Sequence, residues 1–211
     1  MKPITIPQQM IPAVLDGTKT RHSVVIDPQP KKHSDIAEVC GSKCDSVIFY
    51  SDKSKGGHRI DTIECPYKIG EKVWVPEEWD LDYSECDILF KDGGRKRCLL
   101  QEEYFKNEYE RLPPLIRSIK KFRNADSMPQ WASRITLEIT NIRVERLWDI
   151  TWDDADAEGF KDSFYGIQRP NEFELHGNSS MDHFRDWWMS SYGDQSWLNN
   201  DWVWVYEFKR V

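Results

Sequence analysis

The chain has 211 residues, 31% of them charged, with 29 Lys and Arg against 36 Asp and Glu for a formal net charge of −7. That balance excludes a general nucleic-acid coat protein, which would be basic, while leaving room for a local basic pocket. No apolar run reaches bilayer length and no secretory signal opens the sequence, so the expectation is a cytoplasmic protein without membrane attachment, its five cysteines free thiols.

In chain order, Ile4 and Ile6 alternate between prolines and predict a short edge strand or arm. From Gln8, the spacing of Met10, Ile11, Val14 and Leu15 is helical; Pro12 fits a first turn and Gly17 ends the helix. A dense polar group follows, Thr18-Lys19-Thr20-Arg21-His22-Ser23, before Val24, Val25 and Ile26 start a strand. Read alone, such a group is a solvated turn; the competing reading is a set of ligand-binding side chains.

Residues 31–66 read as an insertion carrying a short strand at SVIFY, followed by SDKSKGGH and RIDTIEC. Cys40, Cys44, His58 and Cys65 fall in it, but their irregular spacing and the absence of CxxC pairs favour free thiols over zinc. No metal and no cofactor is expected. Tyr67 to Trp79 (YKIGEKVWVPEEW) gives a turn at Gly70-Glu71 and a strand through Val73, Trp74 and Val75 that Pro76 interrupts. A strand at CDILF and a turn at Gly93-Gly94 come next. The polar connection over 106–127, expected to be mobile, holds a basic group of Arg117, Lys120, Lys121 and Arg123 that suits solvent or a nucleic-acid backbone.

The clearest β signal runs over 133–147. Ile135, Leu137 and Ile139 alternate with Arg134, Thr136 and Glu138, the period of a strand buried on one face. At Asn141 the phase slips, because the next apolar positions are Ile142 and Val144; this predicts a bulge in a long, bent strand, of the sort a small barrel needs. Thr151 followed by Asp153 and Asp154 reads as an N-cap with acidic residues at the positive end of a helix, and Gly159 as the residue past its end. Residues 160–177 lack a clear period. Phe184, Trp187 and Trp188 share one face of a helix over 181–192, capped by Ser179 or Ser180, and are expected to pack in the core. The last strand, 202–211, is apolar on both faces and predicts a central strand.

LDGTKT at 15–20, the stretch 67–79, the blocks MPQWASRITLEIT, VERLWDIT and DADAEG within 128–159, and WVWVYEFKRV at 202–211 together resemble ASCH-domain proteins, in a long form found among phage and prophage proteins. ASCH domains belong to the PUA-like superfamily, whose members commonly bind RNA or modified bases. The resemblance implies an α+β fold, a PUA-like mixed β-barrel with flanking helices, as one domain over 1–211 with the insertion at 31–66. In the related bacterial N4-acetylcytidine amidohydrolases the catalytic set is a Lys, a Thr three residues later and a distant Glu. Lys19 and Glu158 match the first and last, but His22 stands at the Thr position. Without that hydroxyl the amidohydrolase activity does not carry over whole.

The first functional expectation is therefore binding of RNA or a modified nucleobase or nucleoside. Lys19, Thr20, Arg21 and His22 would face the ligand, together with Trp74, Glu77, Glu78, Trp79 and Arg134, and Arg143 would extend a basic track along the strand. The alternative is a hydrolase of an acylated nucleoside or of RNA, with Lys19 or His22 as base and Glu158 orienting it or moving a proton. A third is a phage accessory protein that binds other proteins. In the first two, Lys19 and Glu158 meet at one cleft with His22 on its rim, and Glu77 or Glu78 holds the lysine ammonium or a ligand donor.

Overall fold

A computed structural model describes residues 1–31, 34–51, 57–82, 87–97, 106–107, 110–111, 122–169 and 172–211, over 165–169 and 172–175 as backbone. Its strands are β1 (Lys2–Pro3), β2 (Arg21–Val25), β3 (Ile36–Cys40), β4 (Ser46–Tyr50), β5 (Arg59–Glu64), β6 (Lys72–Trp74), β7 (Trp79–Asp82), β8 (Asp87–Phe90), β9 (Arg95–Arg97), β10 (Thr136–Arg146), β11 (Tyr165–Arg169), β12 (Glu172–His176) and β13 (Trp202–Arg210). The helices are α1 (Ile11–Asp16), α2 (Trp152–Ala157), α3 (Ser180–Tyr192) and α4 (Asp194–Leu198). The fold is mixed α+β, and among the described residues its sheets are open; the closed barrel expected from the family resemblance is not formed. No helix there is long and apolar enough to cross a membrane.

The chain divides into two compact units, Met1–Leu15 with Lys72–Leu137 and Arg210–Val211, and Asp16–Glu71 with Glu138–Lys209. In the first, β1 pairs in parallel with β6, and β7, β8 and β9 form an antiparallel sheet. Its core joins Trp74, Trp79, Leu81, Ile88, Phe90, Met128 and Ala132. Pro12 lies in the first turn of α1, where its missing N–H breaks no helical bond.

In the second unit β13 lies between β10 and β2, the central position that its two apolar faces predict, and Trp202 to Tyr206 are all buried. β13 runs antiparallel to β2 with Tyr206 opposite His22 and Glu207 opposite Arg21. Along β10 and just before it, Ile135, Leu137 and Ile139 are buried; then Thr140 and Asn141 are both exposed and Ile142 is buried again. The phase slip is thus real, and the Asn141 side chain accepts the Ile142 N–H at 3.0 Å where the alternation breaks. Thr151 caps α2 and Ser179 caps α3, each in a reciprocal box with an aspartate three residues on. Phe184 and Trp188 are fully buried, and the Trp188 indole donates to Ser196 Oγ at 3.2 Å.

Two expectations change. The stretch after Gly159, read as irregular, contains the antiparallel hairpin β11–β12. The insertion is an antiparallel sheet in the order β3-β4-β5, and there Cys44 is joined to Cys65, so the five cysteines are not all free thiols. Cys44 is fully buried and the two Cα atoms are 6.2 Å apart, within bridging range. The bond also removes two of the four ligands a zinc site would have used. Arg117, Lys120 and Lys121 lie outside the described residues, as does most of the connection over 106–127. Closing a loop across 21 positions stabilises a chain by about 3 kcal/mol in the chain-entropy account. Reduction should therefore lower the melting temperature, and an unchanged transition in phosphine reductant would show that this bridge does not support the fold.

Candidate functional site

The site is built by two backbone ties. The Thr20 N–H donates to the Ala157 carbonyl at 2.9 Å, and the Phe208 N–H donates to the Thr20 carbonyl at 2.9 Å. They hold the loop after Gly17 between the end of α2 and the edge of β13. Lys19 sits on that loop, and Glu158 is the residue that ends α2. The Lys19 ammonium therefore lies 2.6 Å from Glu158 Oε2 and also donates to the Glu158 carbonyl at 2.9 Å. Separated by 139 positions, the two side chains are both fully buried.

His22 and Arg21 complete the inner cluster. His22 Nδ1 is 3.9 Å from Glu158 Oε2, and Arg21 Nε is 3.6 Å from Oε1. His22 is buried as well, so it stands inside the cluster rather than on a rim. Arg21 goes on to pair with Glu145 and Asp154. Arg143 pairs with Glu145 and Asp154, each at 3.0 Å, and with Glu207. Instead of extending a basic track, Arg143 is neutralised by three carboxylates.

Burial draws the Lys19 ammonium below the usual lysine value, against the pull of Glu158. Burial would likewise raise the Glu158 carboxyl, but the charges and hydrogen bonds of Lys19 and His22 outweigh it and hold it down at about 2. Glu158 is thus a carboxylate at neutral pH. Hydrogen bonds from Thr151 and the charge of Arg21 keep Asp154 below the ordinary range in spite of its burial. Desolvation and then the Glu158 charge push the Tyr192 phenol up to about 12, which leaves it a neutral donor.

Two clefts open beside this cluster. The larger, of 420 Å³, is lined by Thr18, Asp156, Ala157, Phe160, Lys161 and Asp162. The smaller, of 180 Å³, is lined by Thr20, Arg21, Thr140, Asp154, Ala157, Glu207 and Phe208. Ala157 lines both and Glu158 follows it in the chain, so each cleft ends near the buried pair. Phe160, ring to ring with Phe184 at 5.7 Å, gives the larger cleft a flat apolar wall. Among the described residues no group of three or more His, Cys, Asp or Glu is placed to hold a metal ion.

The remaining sequence candidates belong to the first unit, where each already has a structural partner. Trp74 and Trp79 are buried in its core, and the Trp79 indole donates to Ser127 Oγ at 3.2 Å; neither presents an open face for a base. Arg123, from the basic group, lies over the Trp79 ring at 4.8 Å. Glu77 is fully buried and pairs with Arg134 at 2.7 Å, while Glu78 pairs with Lys91 at 2.7 Å. So neither glutamate takes the role expected of it at Lys19, whose ammonium is held by Glu158, and Arg134 is committed to Glu77 and Asp92.

Sequence reasoning missed Glu145, Glu207 and the Phe160 wall. A signal existed for the first two. Glu145 follows Arg143 at the period of two that puts both on one face of β10, and Glu207 is the one acidic residue in the strand WVWVYEFKRV. No family model matches the chain, and no curated protein or solved structure matches it either. The resemblance to ASCH domains rests on the sequence motifs alone.

Proposed function

We propose that the second unit binds a modified nucleobase or nucleoside, or an RNA segment presenting one, in the manner of PUA-like modules. The observation that carries this reading is the meeting of Lys19 and Glu158 at 2.6 Å with His22 beside them, next in the chain to Thr18 and Ala157, which line a 420 Å³ cleft together with Phe160. A cleft of that volume is in the range of small-molecule sites, and a lining with one aromatic ring, two carboxylates and the Thr18 hydroxyl suits a base held by stacking and by its donor edge. In this reading the buried pair is the rigid floor, and Thr18, Phe160 and Lys161 make the contacts.

The test is calorimetric titration with modified nucleosides and short RNAs. Phe160→Ala should weaken binding by about 1–3 kcal/mol, the worth of one stacked base, and leave the fold intact because Phe160 is only partly buried. If no nucleoside or RNA binds at millimolar concentration, the reading fails.

A hydrolase of an acylated nucleoside or of RNA is the second reading. It draws on one observation: a dry lysine held below its ordinary value, an ionised glutamate and a histidine share one carboxylate oxygen within 3.9 Å. Such a set can move a proton, with Lys19 or His22 as base and Glu158 orienting it. Turnover of an acylated cytidine, lost in Glu158→Gln while binding persists, would favour it over pure binding.

A further inference from the structure

We propose that the exposed surface carrying Trp148, Trp152 and Leu198 docks a basic, arginine-bearing segment of a partner protein. None of the three lines either cleft, so the inference stands apart from the proposed function. The chain has ten tryptophans, and these two alone are more than half exposed, Trp148 at 55% and Trp152 at 60%. Leu198 is 64% exposed. Single exposed apolar side chains are ordinary, whereas a contiguous group of them marks a contact surface. Here hydrogen bonds bring two segments together. The Leu147 N–H donates to the Asp201 carbonyl at 3.0 Å, the Trp148 N–H to Asn200 Oδ1 at 2.8 Å, and the Trp148 indole to the Trp197 carbonyl at 2.8 Å. The last of these ties the half-exposed ring to the residue before Leu198. Trp152 opens α2 four positions further on. A tryptophan held in this way suits a protein interface, because little rotamer freedom remains to be lost when a partner covers it.

The charge around these side chains decides what they bind. Asp149, Asp153 and Asp194 are exposed, and no Lys or Arg occurs in residues 147–157 or 192–201. Asp149 and Asp153 directly follow the two tryptophans, and Asp194 stands one turn before Leu198 on α4. Arg146, the cation nearest to Trp148 in the chain, is turned inward. It donates to the Asn200 and Ser34 carbonyls at 3.1 and 2.7 Å and lies 4.3 Å over the Trp202 ring. An apolar surface with carboxylates of one sign repels nucleic acid and anionic lipid. It also opposes its own copy, since a two-fold pairing would set these carboxylates against each other. A guanidinium meets both features at once: it lies flat on an indole, drawn by the negative face of the ring, and bonds a carboxylate through its edge.

Calorimetric titration of the full chain with a short peptide of alternating arginine and leucine tests this, beside the same peptide with lysine or with glutamate in place of arginine. The arginine peptide is expected to bind best, the lysine peptide several-fold more weakly, and the glutamate peptide not at all. Trp148→Ala combined with Trp152→Ala should weaken the arginine peptide by about tenfold or more, the scale of an interface hot spot, while every carboxylate stays in place. If the double variant does not fold, Trp152→Ala decides alone, at the more exposed of the two positions, with a several-fold loss expected. Undiminished binding in these variants overturns the inference, because charge alone would then hold the peptide. Equal binding of the arginine and lysine peptides overturns the arginine preference, and no binding of the arginine peptide at millimolar concentration overturns the whole. Self-association of the chain in sedimentation, lost in Trp152→Ala, would assign the surface to a second copy instead and overturn it too. Nucleoside binding should be the same in wild type and these variants, so failure here and failure of the proposed function are read separately.

Discussion

Lys19→Ala is expected to lower the stability of the protein by about 3–5 kcal/mol, the loss typical when one member of a buried ion pair is removed. The cause is the partner left behind. Glu158 is fully buried and loses both the bond to its carboxylate and the one to its carbonyl. A double change, Lys19→Met with Glu158→Leu, should cost far less, because it removes the charge together with its partner and fills the space. The pH dependence has a definite sign. The Glu158 carboxyl is depressed from 4.5 to about 2, so its stabilising contribution is full above the unfolded value and is lost as pH falls through the folded one. In Lys19→Ala the main group holding that carboxyl down is gone, burial raises it, and it takes up a proton more readily. The gap between variant and wild type should therefore shrink from pH 7 to pH 3. Denaturant unfolding followed by tryptophan fluorescence measures both; a loss under about 1 kcal/mol would mean that the pair is not dry, since exposed pairs contribute no more than that.

Lys19 is the residue that the family resemblance singles out, yet its removal reports on folding before it reports on binding. The informative binding variants are those on the cleft walls, Phe160 and Glu207, whose side chains are partly exposed.

Much of what positions the site was legible because it is local. The alternation of Ile135, Leu137 and Ile139, the slip at Asn141, the Thr151 cap and the buried face of Phe184 and Trp188 each depend on neighbours a few residues away. Periodicity and capping report such neighbours directly. The Lys19–Glu158 contact is not local, and only the resemblance suggested it. The ion network around it depends on strand register, in particular Glu207 opposite Arg21, which no single segment encodes. The same holds for Cys44 and Cys65, since cysteine spacing does not fix connectivity. Trp74, Glu77, Trp79 and Arg134 mislead for a related reason. Tryptophans and opposite charges in stretches that resemble ASCH domains look like a binding surface, but here they fill the core of the first unit and satisfy each other.

Arg134→Ala is the second change expected to be severe, also at about 3–5 kcal/mol, and it affects the first unit. The guanidinium donates through Nε and Nη2 to Glu77 at 3.1 and 2.7 Å, reaches Asp92 at 2.6 Å, and lies 4.0 Å over the Phe90 ring. A Cβ on Gly94 would run into it, so the turn at Gly93-Gly94 is shaped around this side chain. Burial already lifts the Glu77 carboxyl above the usual range even with Arg134 in place. A raised carboxyl favours folding below its unfolded value, and that advantage is lost as pH rises through the folded one. Without the guanidinium the value climbs further, so the deficit of Arg134→Ala should grow between pH 5 and pH 8. Arg134→Lys should rescue little, because a single ammonium cannot reproduce the two-pronged contact or lie flat on Phe90. Glu77→Gln in the Arg134→Ala background should recover part of the loss by removing the stranded charge. An Arg134→Ala deficit that is the same at pH 5 and pH 8 would show that Glu77 is not the group left uncompensated.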